Sequence, residues 1–133
     1  MSIFSYFFKK PIDKSKLEKS RLKDYDKAIN FYEETLKNNK DLKIDPYHIK
    51  SYNNRGTIKY DMGLFEDAIK DYDRAIELDN NYFEAYCNRA NAKYSLGLYK
   101  EALKDYKKAL ELDTTNTTVI ENIKNIENKY SLK

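Results

Sequence analysis

The segment NRGTIKYDMGLFEDAIKDYDRAIELD, residues 54–79, is followed 34 residues later by NRANAKYSLGLYKEALKDYKKALELD. Residues 49–82 align with 83–116 without a gap, and 15 of the 34 positions are identical. A period of this length restricts the chain to a stack of one supersecondary unit, each copy covering the apolar face its neighbour leaves exposed. Within each copy, Gly63 or Gly97 interrupts two stretches of helical period. The second stretch carries Phe65, Ala68, Ile69, Tyr72, Ala75 and Ile76 in one copy, and Tyr99, Ala102, Leu103, Tyr106, Ala109 and Leu110 in the other. Steps of three and four residues put these on one helical stripe. Each unit is therefore predicted to be a helix, a short turn and a helix. Small residues at Gly56/Ala90, Ala68/Ala102 and Ala75/Ala109 let two axes approach, and Tyr52/Tyr86 and Tyr72/Tyr106 fill the space beside them.

Composition agrees with an all-α chain. Three Gly and two Pro in 133 residues leave little turn chemistry for a sheet protein, and 41% hydrophobic with 35% charged residues suits one soluble domain. The 25 basic and 22 acidic residues are interleaved, so no basic block invites nucleic acid and none is expected as a partner. One cysteine and one histidine, Cys87 and His48, make neither an internal disulfide nor a zinc site. No metal and no cofactor are expected. There is no glycine-rich phosphate loop and no nucleophile–base–orienter set, so the chain reads as no enzyme. The opening MSIFSYFFKK has a short apolar core with its lysines after it, which fits neither a secretory signal nor a membrane span. A cytoplasmic location is the resulting expectation.

The flanks extend the repeat imperfectly. Upstream, DYDKAINFYEETLK reproduces the second-helix pattern with Tyr25, Ala28, Ile29, Tyr32 and Leu36, although Thr35 stands where a small Ala is expected. Ala28 precedes Ala68 by 40 residues, so residues 13–48 read as a degenerate unit with a six-residue insertion in KNNKDLKI. Its first helix is expected at about Asp13 to Leu22. Asp45 and Pro46 read as the N-cap and first residue of the next helix. Downstream, residues 117–133 put Val119, Ile120, Ile123 and Ile126 on one face and polar residues on the other, the pattern of a capping helix that closes the stack. Residues 1–12 hold the apolar IFSYFF. Three homes are open to it: packing as an N-terminal cap, inserting into a groove of this or another copy, or weak membrane contact through residues 3–10.

Residues 49–116 resemble the tetratricopeptide repeat. The resemblance rests on Tyr52, Gly56, Gly63, Phe65, Ala68, Tyr72 and Ala75 in one unit, and Tyr86, Ala90, Gly97, Tyr99, Ala102, Tyr106 and Ala109 in the other. The family's usual closing Pro is replaced by Asn80 and Thr114. The resemblance implies a right-handed helical solenoid of about three repeats, the first degenerate, whose role is to bind proteins. It also implies a concave groove lined by the first helices. Those helices carry Lys50, Asn53, Asn54, Thr57, Tyr60 and Asp61, beside Glu84, Cys87, Asn88, Asn91, Tyr94 and Ser95. Asn offers both donor and acceptor to a peptide amide, and Tyr offers apolar area with a polar tip.

Chaperone-binding members of the family hold a partner's C-terminal carboxylate with a clamp of Lys, Asn and Arg. In this chain those places fall on Asp13, Leu17, Asn54, Glu84 and Asn88, or one unit later on Asn53, Thr57, Asn88, Thr118 and Asn122. Each register keeps a single clamp Asn and no clamp cation, so no chaperone tail is expected as the partner. A segment of little net charge or some positive charge suits Asp61 and Glu84 better. The function implied is a non-enzymatic adaptor or scaffold that takes a protein or peptide partner in the groove. The alternative is a self-assembling structural protein, a homo-oligomer joined through its end faces or its apolar N-terminal segment.

Overall fold

The computed structural model describes residues 13–40, 43 and 45–132. IFSYFF lies outside them, and so does any test of its three homes. Six helices follow one another: α1 (Lys14–Asn38), α2 (Pro46–Asp61), α3 (Phe65–Leu78), α4 (Phe83–Ser95), α5 (Tyr99–Leu112) and α6 (Thr117–Tyr130). They form a tetratricopeptide-type solenoid in which α2–α3 and α4–α5 are the two full helix pairs, α1 packs before them and α6 behind.

Local chemistry sets the boundaries. Asp13, Asp45 and Asn116 cap α1, α2 and α6 by accepting from the backbone N–H of Lys16, Tyr47 and Val119. Gly63 and Gly97 take φ of +78° and +77°, the left-handed conformation that ends α2 and α4. In both turns the next residue, Leu64 or Leu98, donates back to the carbonyl of Lys59 or Lys93 at 2.8 and 2.9 Å. The helices that follow have no side-chain cap, but Glu66, Asp67 and Glu101 put negative charge in their first turns. Between units, Asp79 and Asp113 accept from the N–H of Asn81 and Thr115, a side-chain turn in place of the missing prolines.

The expected first helix of the leading unit does not turn back as a separate arm. Residues 14–22 are instead the start of the 25-residue α1. On the 40-residue offset, Lys23 stands where Gly63 stands. A residue with a Cβ pays about 1–2 kcal/mol in the left-handed conformation, so the helix runs straight through. The register is also shifted. Arg89 reaches Asp73 on the preceding second helix at 2.8 Å, and the matching Arg55 reaches Asp26 at 2.9 Å. Sequence alignment pairs Asp73 with Glu33, two helical turns later, which instead accepts from the Tyr52 hydroxyl and from Arg74. α1 nevertheless ends at Asn38, the counterpart of Leu78 on the same offset, so the insertion does not extend the helix at its C-terminal end.

The core consists of the alanine and tyrosine positions of the repeat. Ala68, Ala75, Ala85, Ala90, Ala92, Ala102 and Ala109 are fully buried. Gly56 lies so close to the Tyr72 ring that a Cβ there would sit 2.6 Å from its Cε1. Val119, Ile123 and Ile126 of α6 join Tyr86, Leu103 and Tyr106 in one cluster, leaving the polar side of α6 outward as a cap requires.

Two buried ion clusters run through this core. Asp71, 3% exposed, takes both forks of Arg55 at 2.6 and 2.9 Å and the Lys59 ammonium at 3.0 Å. Asp105, 4% exposed, takes Arg89 at 2.7 and 2.8 Å and Lys93 at 2.9 Å. Burial opposes the Arg89 charge, yet the hydrogen bonds it donates to Asp105 and Asp73 outweigh that and hold the guanidinium above its ordinary pKa. Asp105→Ala is expected to cost about 3 kcal/mol in urea unfolding, because Lys93 is left buried without its counter-ion and Arg89 keeps only the half-exposed Asp73. Asp67→Ala, which breaks the exposed 3.7 Å pair with Lys70, should cost no more than about 0.5 kcal/mol.

Candidate partner-binding groove

The first helices α2 and α4, with α6 beside them, present one face away from α3 and α5. Residues 34 apart on these helices form rows across that face. One row is Asn54, Asn88 and Asn122; the next is Thr57, Asn91 and Asn125; a third is Asp61, Ser95 and Lys129. Asn122, Asn125 and Lys129 are absent from the residues read as groove-lining in the sequence. The signal was the spacing itself, since Asn122 follows Asn88 by the repeat length, but its place in the apolar pattern of α6 suggested only a cap.

Of the sequence-derived residues, Lys50, Asn54, Asp61, Glu84, Tyr94 and Ser95 are exposed, with Asp61 and Glu84 at opposite ends of their helices. Asn53 is 7% exposed and accepts from the Asn88 amide at 3.0 Å, a link between α2 and α4. Asn53 thus ties adjacent units, and Asn88 keeps its carbonyl oxygen for the groove. Thr57 donates to the Asn53 carbonyl at 3.0 Å and faces the Tyr72 hydroxyl at 3.5 Å. Asn91 accepts from the Tyr106 hydroxyl, which leaves its two N–H bonds available as donors. Asn88 and Asn91, one turn apart, therefore offer an acceptor and a donor.

The tyrosines have structural duties as well. Tyr60 packs edge-on against Phe65, and Tyr94 against Tyr99, both at 5.2 Å and 63°. Across units, the Tyr60 hydroxyl lies 3.4 Å from Ser95 Oγ, and that of Tyr94 lies 3.5 Å from the Tyr130 hydroxyl. Between α4 and α6 is a cavity of about 310 Å³ whose walls include Asn91, Tyr94, Tyr106, Asn122, Asn125 and Lys129. The Tyr106 hydroxyl at its base is pushed up to about 12 by burial, so it stays a neutral donor and acceptor.

Cys87 lies half-buried on α4, and burial pushes its thiol up to about 11. It packs against the Tyr86–Ala109 cluster, the role of a small apolar filler rather than a nucleophile. At pH 8 the folded protein is expected to react with a disulfide reagent on the order of 100-fold more slowly than the urea-unfolded chain, because thiolate is scarce. Stopped-flow thiol titration across pH 7–11 checks this, with the folded rate climbing towards the upper end.

Comparison with known proteins places this architecture. A family model described as TPR repeat matches residues 56–97, and a second, described as tetratricopeptide repeat, matches 83–116. The TPR domain of Arabidopsis OM64 is 30% identical, with 86% of this chain and 95% of that one covered and a TM-score of 0.60. The first TPR of Spaghetti (RPAP3), bound to the HSP90 peptide SRMEEVD, is 27% identical over 87% of this chain and 89% of that one, with a TM-score of 0.64. The second TPR domain of human RPAP3, in complex with the HSP70 peptide SGPTIEEVD, is 26% identical over 83% and 92%, with a TM-score of 0.60. None of the curated proteins compared matches the chain in sequence. With two repeat models in succession over residues 56–116 and a 30%-identical domain matched almost end to end, the chain belongs to the tetratricopeptide repeat family.

Proposed function

We propose that the protein is an adaptor without catalytic activity that binds an extended peptide segment of a partner in the concave groove. The observation that carries this reading is the row Asn54, Asn88 and Asn122 beside the 310 Å³ cavity. Amide side chains offer both a donor and an acceptor to the N–H and C=O groups of an extended backbone. The solved relatives bound to HSP90 and HSP70 peptides support the general mode. The chemistry of the groove differs from a carboxylate clamp. The clamp places are Asn53, Thr57, Asn88, Thr118 and Asn122, without a cation, and Asn53 is already engaged with Asn88. Catalysis has little to draw on, because Cys87 is held as a thiol and His48 is stacked on Tyr32 at 3.7 Å. Among the described residues no helix is long and apolar enough to cross a membrane, and we place the adaptor in the cytoplasm.

A second reading, self-assembly, draws on Phe31 and Tyr47, which are 72% and 64% exposed at the α1 end of the stack. Light scattering separates the two, since a monomer at every concentration removes the assembly reading. The groove reading is tested by affinity capture from the protein's own cell extract, comparing the intact chain with Asn54→Ala/Asn122→Ala. The expected result is loss of the captured partner by about tenfold or more, with SRMEEVD peptide failing to compete. Retained capture by the double variant contradicts the groove.

A further inference from the structure

The third row of the groove is charged at both ends. Asp61 at the end of α2 and Lys129 at the end of α6 stand two repeats apart, with the neutral Ser95 of α4 between them. Both are exposed. Each lies one helical turn beyond a residue of the preceding row, Asp61 after Thr57 and Lys129 after Asn125, which puts both on that side of their helices, with the Lys129 ammonium 5.3 Å from the centroid of the Tyr130 ring. Lys129 lines the cavity beside Asn125 and Asn122. The other cations of the first helices' inner side are spent: Lys59 and Lys93 are bound to the buried Asp71 and Asp105. Lys50 and Glu84 carry the reverse order of sign, but they lie about 16 Å away along the helix axes, some two Debye lengths at physiological salt.

Resting on the groove reading above, we propose that the guest is a segment with a basic and an acidic residue about five or six positions apart. The basic residue sits at Asp61 and the acidic residue at Lys129. Neighbouring first helices are about 8–10 Å apart, so two steps span about 16–20 Å. An extended chain advances about 3.3 Å per residue, which gives that separation. The rows of Asn54, Asn88 and Asn122 and of Thr57, Asn91 and Asn125 hold the backbone between the two charges. Position along the groove is set by the charge pair and not by a terminal carboxylate.

The test is selection from a library of acetylated and amidated nonapeptides on the immobilised full chain, at 50 mM and 500 mM salt. The intact protein should enrich opposite charges at the stated spacing, by about two- to fivefold for each charge, and the preference should fade at high salt. Asp61→Lys should enrich peptides acidic at both places, and Lys129→Glu peptides basic at both. Asn125→Trp, which fills the cavity, should abolish enrichment. Binding lost in Asn125→Trp, with the same charge preference in all the other proteins, overturns the charge rule and leaves the groove standing. Binding that survives Asn125→Trp, or no enriched set at all, overturns both.

Discussion

Arg55 and Arg89 each hold three helices at once. Arg89 on α4 binds Asp105 of α5 with two parallel hydrogen bonds and Asp73 of α3 with a third, and Arg55 on α2 does the same with Asp71 of α3 and Asp26 of α1. A buried carboxylate is costly unless every partner is in place, so a slide of one turn between α2 and α3, or between α4 and α5, would strand the charge of Asp71 or Asp105 in the core, while the half-exposed Asp26 and Asp73 add a weaker tie to the preceding helix. The planar fork of arginine fixes distance and angle together. Alanine and tyrosine packing supplies the attraction between helices, while these clusters specify a single register. The rows of groove residues line up across α2, α4 and α6 only in that register.

Much of this was legible in the sequence because the repeat is internal and nearly unbroken. Gly63 and Gly97 marked the turns, the alanine sites marked the close approaches, and Asp45–Pro46 marked the start of α2. Where the reading failed, one residue usually explains it. Lys23 in place of glycine removes the turn and fuses two expected helices into α1. The burial of Asp71 and Asp105 left no mark among the interleaved charges, since nothing in a linear pattern shows that an arginine 16 residues earlier will cover them. Asn122 was visible at repeat spacing, but the isoleucines around it carried the stronger signal.

On the proposed reading, the groove shares its residues between structure and recognition. The Tyr72 hydroxyl braces the wall at Thr57, while Asn53 and the Tyr106 hydroxyl orient Asn88 and Asn91 as acceptor and donor. Those orientations are set before any partner arrives, which limits the ordering cost of binding to the guest. A duplicated fold thereby produces a duplicated hydrogen-bonding surface, and the charges of Asp61 and Lys129 distinguish its two ends.

Where a guest touches the protein is what distinguishes the groove from every other surface. Side-chain amide resonances in a 15N NMR titration with a library-selected peptide report this residue by residue. The amides of Asn54, Asn88, Asn91, Asn122 and Asn125 are expected to shift together, while those of Asn80 and Asn81 in the turn between repeats stay in place. Shifts confined to Asn80 and Asn81, with the groove amides silent, would contradict the groove reading.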